Sequence, residues 1–107
     1  LSAPVDIRPQ DLHAVWGVLS AALPKDAQVF VFGSRAKGNA KRASDLDLAV
    51  DLGRALSRAE RILLAEGFEA SDLPYRVDVV DLWDVSESFA AIIEGDKVAL
   101  AKVEVSG

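Results

Sequence analysis

Asp45 and Asp47 stand two residues apart, directly after a stretch that gathers Arg35, Lys37, Lys41 and Arg42 within eight residues and holds no acid. On an extended strand, alternate residues face the same side, so the two carboxylates share one face. Neighbouring carboxylates raise each other's pKa unless a cation or a donor offsets them. A hard divalent ion is the simplest offset, and Mg²⁺ commonly sits between carboxylates and substrate phosphates. Read alone, such a pair is more often two exposed acids on a half-solvated strand, or a cap at Asp45. Asp78, near the start of the later run RVDVVDL, adds a third acid that can converge on the same sheet edge. Gly33-Ser34 supplies a second half-site. Glycine allows close approach to a strand end, and Ser34 could cap a short helix whose free N–H groups face an anion. The stretch GSRAKG has neither the Walker A spacing nor the dinucleotide G-x-G-x-x-G spacing. Arg35 and Lys37 are expected as contacts to phosphate oxygens, against the alternative of ordinary surface charge. Lys41 and Arg42 read as steering charges.

The elements that must position these residues follow from periodicity. Leu12, Val15, Trp16, Leu19 and Leu23 repeat at helical spacing over residues 10–23, opened near Pro9 and closed by Pro24. His13, the single histidine, lies off that stripe and reads as a surface residue. Gln28 to Phe32 is a short β-rich run, and residues 35–44 have room for one short helix and a turn. In SDLDLAVDLG, Leu46, Leu48 and Val50 point one way, and Asp45, Asp47, Ala49 and Asp51 the other. Ser57 to Gly67 predicts a helix with a Ser57/Glu60 capping box, Leu56 as a staple and Gly67 as its left-handed end. RVDVVDL predicts a third strand. Asp84 and Glu87 offer a second capping box, for a helix stopped by Gly95. Val98 to Val105 could form a short edge strand or a loose tail.

Strand one must end where strand two begins if Gly33 is to meet Asp45, so those two are antiparallel. The helix between strands two and three has the length of a right-handed crossover between parallel neighbours. The expectation is an α/β (α+β by some schemes) fold with a small mixed sheet in order 1-2-3 and helices packed on it. Asp45, Asp47 and Asp78 should then lie near one end of the sheet. Asp51 and Asp81 are set aside by position and parity, since Asp81 points opposite to Asp78.

Composition narrows the function classes. A chain of 107 residues, half of them hydrophobic, is expected to be a single domain (core about 10–95, tail 96–107) with one modest core. Cysteine is absent, which excludes disulfides, thiolate nucleophiles and cysteine-held zinc. Apolar runs are far shorter than a membrane span, and no basic segment leads into a long apolar one, so a cytoplasmic protein without a membrane partner is expected. A net charge of −5 argues against a grip on long nucleic acid, which needs a basic face.

Gly33-Ser34, ten residues, then Asp45-Leu46-Asp47, with Asp78 as a third carboxylate, resembles the signature of the minimal nucleotidyltransferases in the DNA polymerase beta superfamily. The likeness runs through VFGSRAKGNAKRASDLDLAV and covers about residues 10–95. It implies the nucleotidyltransferase fold and transfer of a nucleoside monophosphate, AMP from ATP by the family's common choice, to an acceptor hydroxyl with release of pyrophosphate. By the same resemblance, Asp45, Asp47 and Asp78 hold two Mg²⁺ ions and carry catalysis. Gly33, Ser34, Arg35, Lys37 and Ser44 form the expected nucleotide-binding set. Minimal members commonly pair with a small helical protein of the HEPN class, and can act as antitoxins that adenylylate it. A homodimer in isolation is also expected, with Leu73, Pro74, Tyr75 and Trp83 as candidate interface residues, against the alternative that they close the core. The competing function is a non-catalytic partner-binding module, or an antitoxin that works by occlusion.

Overall fold

The computed structural model describes residues 7–38 and 44–103. Its elements are α1 (Pro9–Ala22), β1 (Gln28–Phe32), β2 (Leu46–Asp51), α2 (Arg58–Ala70), β3 (Val77–Asp81), α3 (Glu87–Asp96) and β4 (Val98–Ala99). The sheet order is β3-β2-β1-β4. β1 and β2 are antiparallel from Gln28↔Asp51 to Phe32↔Asp47, and β2 and β3 are parallel from Leu46↔Val77 to Val50↔Asp81. The expected 1-2-3 order is therefore present, and the C-terminal segment adds β4 as a short antiparallel edge beside β1.

Alternation along β2 sorts the two layers. Leu46, Leu48 and Val50 are fully buried against Val15 and Leu19 of α1 and Leu64 of α2. Each such side chain contributes roughly 1.5–3 kcal/mol on burial. The opposite face carries a smaller cluster of Phe32, Ala49 and Ile93, the last from α3. Asp47 and Asp78 share that second face, beyond the part that the α3 contacts cover.

Several local expectations need correction. The α2 capping box forms as expected: Ser57 Oγ accepts from Glu60 N at 3.1 Å, and Glu60 Oε1 accepts from Ser57 N at 2.8 Å. Its far end differs. α2 runs past Gly67 to Ala70, and Gly67 does not take a positive φ. A Cβ there would lie 2.6 Å from Val18 Cγ1, so this glycine lets α1 and α2 approach closely. Leu56 is buried in the main core, while its staple position in the first turn is Arg61, which has no apolar end to meet it. In α3 the N-cap is Ser86, whose Oγ accepts from Phe89 N at 3.2 Å. Asp84 instead accepts from Arg61 at 3.1 Å. Gly95 lies inside α3 and does not stop it. The short helix expected within 35–44 is not formed by its described part. Residues 34–38 are successive turns, with Lys37 N donating to Gly33 O at 3.3 Å and Gly38 N to Arg35 O at 3.4 Å. Lys41 and Arg42 lie outside the described residues. Among the described residues, no helix is long and apolar enough to cross a membrane.

Candidate active site

Strand register brings the motif residues to one end of the sheet. Phe32 pairs with Asp47 across β1–β2, so the Gly33-Ser34 turn starts beside that aspartate. Asp47 pairs with Asp78 across β2–β3, which sets these two carboxylates on neighbouring strands and one face. Asp45 precedes β2 and is exposed. Gly33 has φ +75°, and a Cβ built on it would sit 2.5 Å from Asp47 Oδ2. Only a bare backbone fits against that carboxylate. The glycine thus answers two demands at once, a left-handed turn and a close approach.

The electrostatics follow from this placement. Burial pushes the Asp47 carboxyl above the ordinary carboxylate range, and the charges of Asp78 and Asp45 push it further the same way. A hard cation beside Asp47 would reverse both charge contributions, and the oxygen-only donor set suits such an ion. The residues fit a metal in kind. They are not assembled as a group of three, however: among the described residues, no set of three acidic or histidine side chains is placed to hold one ion. Asp47 and Asp78 are paired across the strands, and Asp45, two residues before Asp47, adds its charge at the same strand end. Asp45 stays exposed, and Asp78 Oδ1 is drawn to Arg76 Nε at 3.2 Å.

The cationic residues are placed differently from one another. Lys37 is half exposed and pairs with Asp96 of α3 at 3.4 Å. Arg35, expected as a phosphate contact, is 5% exposed. Its Nε and Nη2 donate to the Ser44 carbonyl at 3.2 and 2.7 Å, and its guanidinium carbon lies 3.9 Å from the centre of the Tyr75 ring. Tyr75 OH in turn donates to Asp11 Oδ2 at 3.3 Å, and Asp11 also accepts from Arg8. Burial, with the Asp11 charge beside it, pushes the Tyr75 hydroxyl up to about 12. Tyr75 is thus a half-buried ring packed against the main core. Trp83 remains 58% exposed, with its indole N–H donating to Asp51 at 2.7 Å. Asp81 is buried and accepts from Leu56 N, Trp83 N and Arg61, so its role is to tie loops together on the α1/α2 face. His13 is exposed.

Asp11 is the residue beside this cluster that sequence reasoning missed; Tyr75 is singled out there, but for an interface or for closing the core. Asp11 had one usable signal, Arg8 three positions earlier at a helix start.

Comparison with known proteins bears on the family and the fold. The family described as polymerase beta, nucleotidyltransferase matches residues 21–103. A probable protein adenylyltransferase MntA of Haemophilus influenzae is 42% identical over 102 residues, covering 95% of this chain and 89% of that protein. A solved toxin–antitoxin with AMP-PNP superposes with a TM-score of 0.70 at 26% identity, over 88% of this chain and 75% of the other. The solved toxin–antitoxin MntA-HepT gives 0.63 at 23% identity, over 90% and 74%, a likeness of fold. Metal- and nucleotide-dependent transfer is the chemistry of this family. The chain belongs to the polymerase beta nucleotidyltransferase family and is a nucleotidyltransferase enzyme.

Proposed function

We propose that the protein transfers AMP from ATP to a hydroxyl of a small HEPN-class toxin and so acts as its antitoxin. The observation that carries the chemistry is the pairing of Asp47 with Asp78, with the Gly33 backbone laid against Asp47. The acceptor class is supported by the adenylyltransferase relative and by the toxin–antitoxin assemblies of matching fold.

Asp45, Asp47 and Asp78 are the residues to hold magnesium, two ions in this reading, with carboxylate oxygens as ligands. Bound magnesium supplies positive charge that offsets the triphosphate and favours in-line displacement. Gly33 and Ser34 hold the β- and γ-phosphates through backbone N–H groups and the Ser34 hydroxyl, and Lys37 can exchange Asp96 for a phosphate oxygen. The acceptor oxygen attacks the α-phosphorus, the bond to the β-phosphate oxygen breaks, and pyrophosphate leaves. In this reading Asp78 takes the acceptor proton at its carboxylate. Its ion pair with Arg76 is exposed, and such pairs are worth about 0–1 kcal/mol, so it is readily exchanged.

A cytoplasmic location and a homodimer in isolation belong to the same reading. The homodimer is checked by sedimentation. The function is tested by incubating the protein and its HEPN-class partner with ATP and Mg²⁺ and reading the intact mass of both chains. Gain of one AMP by the partner, lost in D47N, is expected. Formation of a stable, inactive complex with no mass gain would replace this reading with antitoxicity by occlusion.

A further inference from the structure

We infer that Arg35 is a positioning residue, not a phosphate ligand: it ties together the three chain segments that carry the site. The inference deepens the nucleotidyltransferase reading and rests on it for the role of the carboxylates. Arg35 follows Ser34 directly. Its Nε and Nη2 both donate to the carbonyl of Ser44, the residue immediately before Asp45. Its guanidinium carbon lies 3.9 Å from the centre of the Tyr75 ring, and Tyr75 sits three residues before Asp78. The segment after Tyr75 is fixed to β2 by Leu46 N donating to Arg76 O at 2.8 Å. Tyr75 itself is held from behind by Asp11 of α1.

A guanidinium suits this place because its edge and its face do different work. The edge presents several N–H donors in one plane, and the face stacks on an aromatic ring while the charge persists at any working pH. An ammonium can supply the charge but not both contacts together. Burial of the group also matters. A cation that is 5% exposed has lost the mobility that a phosphate clamp uses, and the Ser44 carbonyl and the Tyr75 ring are among the groups that hold it. Release of Arg35 would let the Ser34 turn, Asp45 and the start of β3 move independently. Misplacement of reacting groups by about 1 Å is enough to lower a rate by roughly a hundredfold.

The test compares R35K, Y75L and Y75F with the wild type by four readouts: thermal melting, Mn²⁺ binding by electron paramagnetic resonance, the KM for ATP, and kcat with the partner as acceptor. R35K is expected to weaken Mn²⁺ binding by about tenfold and kcat by roughly a hundredfold, with KM for ATP changed less than about twofold. Y75L should reproduce this pattern, because it removes the ring on which Arg35 rests. Y75F, which keeps the ring, should recover most of the loss. The R35K/Y75L double variant should be no worse than either single one, since both disrupt one contact. A rise in KM for ATP that grows with salt, with kcat and Mn²⁺ binding unchanged, would overturn the inference in favour of a direct phosphate contact. A lower melting temperature alone, with Mn²⁺ binding and kcat intact well below the melt, would reduce Arg35 to plain structural support and equally overturn it. If R35K does not fold, the Y75L and Y75F comparison decides the question. If the wild type transfers no AMP, the functional reading fails, and Mn²⁺ binding still judges Arg35.

Discussion

Replacement of Gly33 by alanine separates two demands that fall on one residue, and the protein contains its own control. Gly33 and Gly53 both have φ +75°, yet a Cβ at Gly53 would meet nothing within 4 Å, whereas at Gly33 it would lie 2.5 Å from Asp47 Oδ2. A side chain in the left-handed region costs about 1–2 kcal/mol at either position. G53A should lose that amount and no more, because its N–H keeps its bond to Asp51. G33A carries the same backbone strain and must also drive the Asp47 carboxylate off its rotamer, which costs a further ~0.5–1.5 kcal/mol. For a domain near this size, 1 kcal/mol shifts the melting temperature by about 4–8 °C. G53A should therefore melt roughly 4–16 °C below the wild type, and G33A lower again by several degrees. Activity should diverge far more than stability. At a temperature well below both melts, G53A transfers AMP as the wild type does. G33A is slower by about a hundredfold, because the carboxylate that gives way is the one that faces Asp78. Circular dichroism melts beside the intact-mass transfer assay measure both. Equal stability and equal activity of G33A and G53A would refute the claim that a close approach at Gly33 shapes the site.

Four further outcomes follow from the same structure. S34A should weaken ATP binding by roughly tenfold in calorimetry, the loss of one hydrogen bond to a charged group at about 1.5 kcal/mol. In chelator, D47N should melt at or above the wild type at pH 7 while it abolishes transfer. The sign follows from a carboxyl raised above 3.8: the wild type is favoured below that value, and it loses this contribution as pH rises through the raised pKa, a loss the amide does not share. Glu60 shows the opposite sign, its carboxyl held down to about 2 from 4.5 by Arg54 first and then by the Ser57 N–H. Its contribution is present above pH 4.5 and fades as pH falls toward 2, so E60Q should flatten that part of an acid denaturation profile. G67A should lower the melting temperature although alanine favours helix, because its Cβ meets Val18 at 2.6 Å; an unchanged or raised melt would show that α1 yields freely.

The parts of the fold that were legible in the sequence are those set by neighbours along the chain. Alternation in SDLDLAV fixes which side chains of β2 enter the core, and the Ser57/Glu60 box marks the start of α2. The Gly33-to-Asp45 requirement, joined to the length of the crossover, is enough to give antiparallel and then parallel pairing. What sequence reasoning missed depends on contacts made across the fold. Gly67 has the chemistry of a helix end, but Val18 of α1 claims it for packing. Asp84 and Ser86 are both good caps; Arg61, on another helix, draws Asp84 away and leaves Ser86 to the task. Arg35 looks like one more charge in a basic loop until Tyr75, forty positions on, supplies the ring that buries it.

The acids of the molecule show why Asp47 stands apart from residues of the same type. Asp81 and Asp11 are more deeply buried than Asp47, and each is surrounded by donors: Leu56 N, Trp83 N and Arg61 around one, Arg8 and Tyr75 OH around the other. Their charge is answered from within the chain, as burial of a carboxylate requires. Around Asp47, the influences that move its pKa are burial and two further carboxylates, and all three push toward the protonated form. A fold that can supply three donors to Asp81 three residues beyond Asp78 is not short of the means to neutralise Asp47. Among the described residues, Asp47 lies opposite Asp78 with the Gly33 backbone against it, and a cation at this strand end would answer its charge. That is the property a metal-dependent nucleotidyl transfer needs at this strand end, and the reason relief of the same repulsion by D47N should favour the fold and end the reaction.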